Sequence, residues 1–209
     1  MTRQTTTGAT FTHLDDATRA LVRLSAALAA GDEDDVRRAL QSATPITPHE
    51  WIEELLLQTY LFAGFPRALN GMREWRRIAP APAAATLVPS VGDPVAEGQR
   101  TCAHVYGSMY DRLRQNIAAL HPLLDDWMIA EGYGKVLGRP ALDLARRELC
   151  IVAACAASGQ DRQLQSHLHG ARNVGVADSA IGATLEALNR VIPAALFDRA
   201  RRLWSRLAA

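Results

Sequence analysis

The chain has 209 residues, of which 48% are hydrophobic and 22% are charged, a composition typical of a folded globular protein rather than a disordered one. Its 23 basic and 22 acidic residues leave a formal net charge of +1, without the positive excess that drives general binding to nucleic acids or anionic membranes. We therefore expect neither nucleic acid nor membrane as a partner.

The N-terminal residues and the cysteines limit the compartment and the class of protein. Residues 1–12 lack the apolar stretch of a signal peptide, and no apolar run approaches the roughly 20 residues of a transmembrane helix. We expect an N-terminal tail over 1–12 and a cytoplasmic protein. The three cysteines, Cys102, Cys150 and Cys155, lack a Cys-x-x-Cys spacing, which argues against a disulfide framework and a cysteine-rich zinc site.

Residues 13–78 are predicted to form a unit of three helices. The first two form a hairpin that turns at Gly31, because glycine commonly ends helices. Thr47 is predicted to cap the third helix, with Pro48 in its first turn. The next stretch, 79–98, holds four of the ten prolines of the chain. It is predicted to be an extended connector, because proline interrupts helical hydrogen bonding.

Residues 99–209 return to helical periodicity and are predicted to form a second domain. The aromatic residues Tyr106, Tyr110, Trp127 and Tyr133 are expected in the core or in a subunit interface.

A second hairpin is predicted further along this domain. Its helices run over about 143–158 and 160–173, with a break at Gly159. A third helix, starting near Asp178 or Ser179, is predicted to reach Pro193. Strand signals are weak throughout, so the predicted class is all-α.

An internal repeat organises the chain. The segments 14–43 and 142–171 align without a gap, with glycine opposite glycine at the hairpin turns. After one residue is skipped, Pro66 lies opposite Pro193. We interpret the chain as an all-α bundle built from duplicated antiparallel helical hairpins, of which the first is a degenerate copy.

The two copies differ at a pair of polar positions. Ala20 stands opposite Glu148, and Ala39 stands opposite His167. Glu148 precedes Gly159 by 11 residues and His167 follows it by 8, so at about 1.5 Å per residue their heights differ by only about 4–5 Å. The two side chains are predicted to face each other in apolar surroundings, which suits proton transfer. The alternative is a hydrogen-bonded pair that only ties the two helices together.

The residues around this pair resemble a known family. REL-x-IVAACAASGQ and RQLQSHLHGARNVGV, preceded by YGKVLGRPALD, are similar to the carboxymuconolactone decarboxylase family, which includes the alkylhydroperoxidase D proteins. LLLQTYLFAGFPRALNGM in the first copy resembles the segment that closes the family's domain. The resemblance implies an AhpD-like helical bundle over 99–209, a degenerate AhpD-like repeat over 13–78, and a homo-oligomer: a trimer or hexamer, or a dimer if the duplication replaces a subunit contact.

The peroxidase branch of that family has a glutamate, then eleven residues, Cys-x-x-Cys, three residues and a histidine. Counted from Glu148, Gln160 and Gln163 occupy the cysteine positions, and His167 occupies the histidine position. Glutamine cannot form a thiolate, so the family's dithiol chemistry is not available. An alkylhydroperoxidase-like (peroxiredoxin-type) antioxidant protein that uses Cys155 instead remains an alternative.

The missing cysteines favour the decarboxylase branch, whose cofactor-free enzymes release carbon dioxide from a carboxylated unsaturated lactone in aromatic-compound breakdown. By resemblance, Glu148 and His167 are the catalytic acid/base pair, and the partner is a small-molecule carboxylate. Arg147 is the candidate for holding its carboxylate, with Gln163 and Cys155 as further substrate-binding candidates.

No cofactor and no metal are expected. His169 follows His167 by two residues, so on a helix it lies about 200° away and the two cannot chelate one metal ion. A non-catalytic helical oligomer, in which the Glu148–His167 pair is structural, stays open as a third hypothesis.

Overall fold

The computed structural model describes residues 11–80 and 92–208. In these residues the chain is helical, which confirms the predicted all-α class, and Phe11 and Val176 form an isolated parallel bridge. A 3₁₀ turn spans Gly107–Met109, and a π-helix spans Met128–Leu137. The α-helices are α1 (Asp16–Ala30), α2 (Glu33–Ala43), α3 (His49–Ile78), α4 (Pro94–Tyr106), α5 (Tyr110–Leu120), α6 (Pro122–Trp127), α7 (Leu144–Ala157), α8 (Asp161–Asn173), α9 (Asp178–Glu186) and α10 (Ala194–Ala208).

Helices α1 and α7 pack against each other, and each begins after a capping aspartate. The carboxylates of Asp15 and Asp143 accept a hydrogen bond from the backbone N–H three residues later, at 2.7 and 2.9 Å. Arg146 of α7 pairs with Asp15 at 2.8 Å, and Ser25 of α1 donates to the carbonyl of Cys150 at 2.7 Å. The equivalent helices of the two copies are therefore held side by side.

Helices α2 and α8 fold back on α1 and α7 at a glycine. The starts of α1 and α7 lie 128 residues apart, as do those of α2 and α8. Gly159 has a φ of 69°, a conformation that favours glycine. At Gly31, a Cβ would lie only 2.8 Å from the Cβ of Asp35. The turn is therefore close enough to require glycine, which has no side chain.

The third helices of the two copies differ in continuity. In α3 the backbone is kinked at Gly64, with a φ of 82°, just before Pro66. In the second copy the chain breaks completely: α9 ends at Glu186 and α10 begins after Pro193. The prediction that the third helix reaches Pro193 is therefore wrong. The turns between α9 and α10 include Arg190 in the left-handed region, with a φ of 63°, which a continuous helix does not allow.

Two predicted helix starts also shift. Pro48, rather than Thr47, is the N-cap of α3, and the hydroxyl of Thr47 instead bonds the carbonyl of Ala17. Helix α4 begins at Pro94, inside the predicted connector, because Asp93 caps its first turn and proline is tolerated there. The expectation of no helix is thus wrong for 94–98. The rest of the proline-rich stretch, 81–91, lies outside the described residues.

The apolar core has two parts. One lies among α1, α2 and α3 and contains the fully buried Trp75, and the other is built mainly from α4, the π-helix and α7–α10. Helix α7 contributes to both, with Cys150 in the first part and Cys155 in the second. Over the described ranges, none of the helices combines the length and apolar character needed to cross a membrane.

Candidate functional site

Glu148 and His167 meet across the α7–α8 hairpin. Nδ1 of His167 lies 2.8 Å from Oε2 of Glu148. Glu148 is fully buried, and His167 is 5% exposed. When Glu148 is ionised, Nδ1–H of the imidazole donates and the carboxylate oxygen accepts, in a hydrogen bond that is strengthened by charge and shielded from water.

The second carboxylate oxygen of this pair is unsatisfied. Oε1 of Glu148 is buried and has no hydrogen-bond partner among the described residues. A buried carboxylate oxygen without a donor costs free energy. This oxygen can accept a proton or a hydrogen bond from a molecule that enters the site.

Aromatic side chains surround the pair. The ring of Phe62, from α3, meets the His167 ring edge-on, with centroids 5.6 Å apart. Near Glu148, the rings of Tyr106 and Tyr133 meet edge-on, with centroids 6.1 Å apart. Burial raises the pKa of Tyr106 to about 12, and the nearby Glu148 charge adds to this effect. Burial also raises the pKa of Tyr133, so both phenols stay protonated at neutral pH.

Gly170, on α8, leaves the space that the Glu148 carboxylate occupies. A Cβ at this position would lie 2.6 Å from Oε2 of Glu148 and 2.8 Å from Cγ1 of Val105. Alanine ordinarily favours a helix over glycine by about 1 kcal/mol, but overpacking costs about 1–3 kcal/mol. We expect Gly170→Ala to unfold at lower urea concentration than Gly132→Ala, at which a Cβ meets no atom within 4 Å. Equal midpoints would contradict this packing.

The three cysteines are free and buried. Burial raises the pKa of Cys155 to about 12, and the neighbouring Glu148 charge adds to the shift. Burial likewise raises the pKa of Cys102 and of Cys150 to about 12. Thiolates, the reactive form of cysteine, are therefore very scarce at neutral pH.

A thiol-reactive disulfide reagent tests this environment. We expect none of the three thiols to react in the folded protein near neutral pH, and all three to react in urea. Rapid modification of Cys155 in the folded protein would instead support the peroxidase alternative.

Arg147 precedes Glu148 in sequence, but the two residues contact different side chains. Its guanidinium is fully buried and donates to Glu54 and Gln58 of α3, at 2.7 and 3.2 Å, and to the carbonyl of Leu142 at 3.1 Å. All three of its nitrogens thus bind the protein. The structure does not bring Arg147 to the pair, and its geometry favours a role in joining the two copies.

The other predicted site residues are divided between the interior and the surface. Cys155, two turns after Glu148 on α7, is buried close enough for the Glu148 charge to affect it. Gln163, one turn before His167 on α8, is exposed. The structure therefore joins Glu148 and His167, places Cys155 in the same part of the core, and leaves Gln163 on the surface. Over the described ranges, no group of three or more His, Cys, Asp or Glu side chains is arranged to hold a metal ion.

Three residues around the pair are missed by reasoning from the sequence. Phe62 belongs to the first copy, so only the packing of α3 against α7 of the second hairpin brings it to His167. The spacing of Tyr133 indicates a core position but not its neighbour Glu148. Gly170 carries the one usable signal, a glycine inside a predicted helix three residues after the candidate histidine.

Comparisons with known proteins identify a relative, and a family model that matches the part of the chain with the Glu148–His167 pair. Residues 122–206 match the model of the carboxymuconolactone decarboxylase family. The chain is also similar to Peroxisomal protein 2 of Schizosaccharomyces pombe, with 27% identity over 128 residues. This match covers 59% of the chain and spans 60% of the length of that relative. The family match includes α7 and α8 and hence Glu148 and His167. The predicted resemblance is thereby confirmed over residues 122–206, which match the model of the carboxymuconolactone decarboxylase family.

Proposed function

We propose that Glu148 and His167 are the acid/base pair of a cofactor-free decarboxylase-like enzyme that acts on a small carboxylated lactone or related acid. The observation that carries the proposal is the buried 2.8 Å contact between the two side chains, in which one glutamate oxygen is left without a donor. Coupled titratable groups in an apolar site are suited to moving a proton.

The chemistry requires one proton donor. When the bond between the substrate carbon and its carboxylate breaks, carbon dioxide leaves and the electron pair stays on the carbon. The imidazolium of His167, stabilised by the Glu148 carboxylate at Nδ1, donates the Nε2 proton to that carbon. Neutral imidazole remains and takes up a proton from water. Burial strengthens the interaction between the two charges.

The first copy argues against a purely structural pair. Its α1–α2 hairpin forms with Ala20 and Ala39 at the positions of Glu148 and His167. A hairpin of this geometry therefore does not need a polar tie. A buried pair with an unsatisfied oxygen is also a costly way to join two helices.

Turnover of a carboxylated unsaturated lactone tests the proposal. We expect the protein to release carbon dioxide and His167→Ala to abolish the release. His104→Ala, which changes an exposed histidine of α4, is the matched control and should keep full activity. Circular dichroism shows whether each variant remains folded. Equal activity in wild type and His167→Ala would refute the acid/base role.

A thiol peroxidase has weaker support. The raised pKa of Cys155 makes its thiolate scarce, and the glutamines at positions 160 and 163 cannot form one. The proton-transfer proposal needs no thiol.

We propose further that the protein is a homo-oligomer, a dimer, trimer or hexamer. Exposed apolar side chains follow one another around the α5–α6 corner, and such patches mark interfaces; they are Leu120, Leu123, Leu124 and Trp127. Sedimentation velocity should give one of these species, and a stable monomer would refute the proposal.

The proposed compartment is the cytoplasm, where the three free thiols would stay reduced. Fractionation of the source cells with an antibody to the protein would test this location.

A further inference from the structure

A groove separate from the Glu148–His167 pair runs between α8 and the α4–α5 segment. Its volume is about 560 Å³, within the range of small-molecule sites. Polar side chains from α5 and α8 line one part of it, and apolar side chains from α4 and α5 line another. The walls are formed by Val105, Tyr106, Ser108, Met109, Arg112, Leu113, Asn116, Arg162, Gln165, Ser166, His169 and Asn173.

The charge of the groove is positive. Arg112 of α5 and Arg162 of α8 both line it, and its walls contain no aspartate or glutamate. Among the described residues, neither guanidinium forms an ion pair. The nearby Arg114 is different, because its Nε and Nη2 donate to the Asp125 carboxylate, at 2.5 and 2.6 Å, and its Nη1 donates to the hydroxyl of Tyr110. Arg112 and Arg162 are therefore available to an anion.

The remaining walls show what kind of anion would fit. His169, Asn116 and Gln165 add polar side chains that can donate hydrogen bonds. Met109, half exposed, and Leu113 supply an apolar surface next to the two arginines. An ion without an apolar body would leave this surface uncovered, whereas a small organic carboxylate would use both parts.

We propose that this groove binds a small organic carboxylate, with Arg112 and Arg162 holding the carboxylate and the Met109–Leu113 side covering its apolar body. Planar guanidinium groups bind carboxylates through paired hydrogen bonds.

The groove lies next to the acid/base pair but does not include it. Val105 and Tyr106 form part of its wall, and on the other side Val105 adjoins Gly170 while Tyr106 lies near Glu148. The binding proposal therefore stands or falls without reference to catalysis.

Binding of benzoate, compared with its neutral analogue benzamide, tests the groove. A saturation-transfer NMR titration of the full chain is expected to show saturable benzoate binding and at least about tenfold weaker benzamide binding. Arg112→Gln and Arg162→Gln should each weaken benzoate binding by about tenfold or more. Arg202→Gln, which changes an exposed arginine of α10 outside the groove, should leave it unchanged.

Salt provides a second readout. Raising the NaCl concentration from about 0.05 to 0.5 M should weaken benzoate binding, because exposed charges are screened. The proposal is overturned if benzoate does not bind, if benzamide binds equally well, or if both groove variants bind benzoate like wild type. The benzoate titration is independent of the carbon dioxide assay. If the protein binds benzoate through Arg112 and Arg162 but releases no carbon dioxide in the separate assay, the proposed function is refuted and the groove proposal stands.

Discussion

Replacing Glu148 by glutamine is expected to lower kcat for decarboxylation by about 10²–10⁴-fold, the range that general acid/base groups contribute. The glutamine keeps the size of the side chain and can still accept the hydrogen bond from Nδ1 of His167. It removes the negative charge, however, and with it the stabilisation of the imidazolium that donates the proton. It also places an amide N–H₂ where Oε1 has no partner among the described residues.

The variant separates a catalytic role from a structural one. A merely structural pair loses little in Glu148→Gln, because the hydrogen bond between the helices survives. Rates should be compared with those of Glu186→Gln, which alters an exposed carboxylate of α9. Wild-type kcat in a folded Glu148→Gln protein would contradict proton transfer through this pair.

Replacing Glu54 by glutamine is expected to lower the free energy of unfolding by about 3–5 kcal/mol, the cost of breaking a buried ion pair. Glu54 of α3 is 3% exposed and binds two arginines: Arg139 at 2.8 Å and Arg147 at 2.7 Å. Arg147 is fully buried, so the variant leaves its charge without a counterion. The loss arises from this unpaired cation more than from the net strength of the pair.

Urea denaturation measures this effect against Glu131→Gln, which breaks an exposed pair with Lys135 and should cost about 0–1 kcal/mol. A double-mutant cycle with Arg147→Met should recover part of the loss, since the unpaired charge is then absent. Losses of similar size in Glu54→Gln and Glu131→Gln would show that the buried network is not needed to join the copies.

The contribution of Glu54 to stability depends on pH in a defined direction. Burial opposes ionisation of Glu54, but the hydrogen bonds from Arg139 and Arg147 outweigh it and hold its pKa below the ordinary value of 4.5. A carboxyl whose pKa is lowered by folding stabilises the protein fully above its unfolded pKa, and this contribution is lost as the pH falls through the folded pKa. The stability difference between wild type and Glu54→Gln should therefore be largest near neutral pH and shrink in acid. A difference independent of pH would contradict this.

Local signals in the sequence predict much of the fold. The glycines at 31 and 159 and the capping aspartates at 15 and 143 mark the helix ends that define the two hairpins. Once the hairpin is placed, the height of Glu148 and His167 above Gly159 follows from helix geometry alone. The contact between Glu148 and His167 can therefore be predicted from the sequence.

Other features depend on packing between distant segments. The partner that Arg147 binds is Glu54, which is 93 residues away in sequence. The groove with Arg112 and Arg162 is lined by α4, α5 and α8 together, and the spacing of residues within any one of these helices does not reveal it. The break between α9 and α10 rests on a left-handed Arg190, a conformation for which a non-glycine residue gives no clear sequence signal.

The most direct measurement of the central claim is the stereochemistry of protonation during decarboxylation in deuterium oxide. If the imidazolium of His167 delivers the proton from a fixed position, the product should carry one deuterium on a single face of the carbon that lost carbon dioxide. His167→Ala should form no labelled product above the uncatalysed rate. Deuterium on both faces equally, or the same stereospecific product from His167→Ala, would contradict proton delivery by the Glu148–His167 pair.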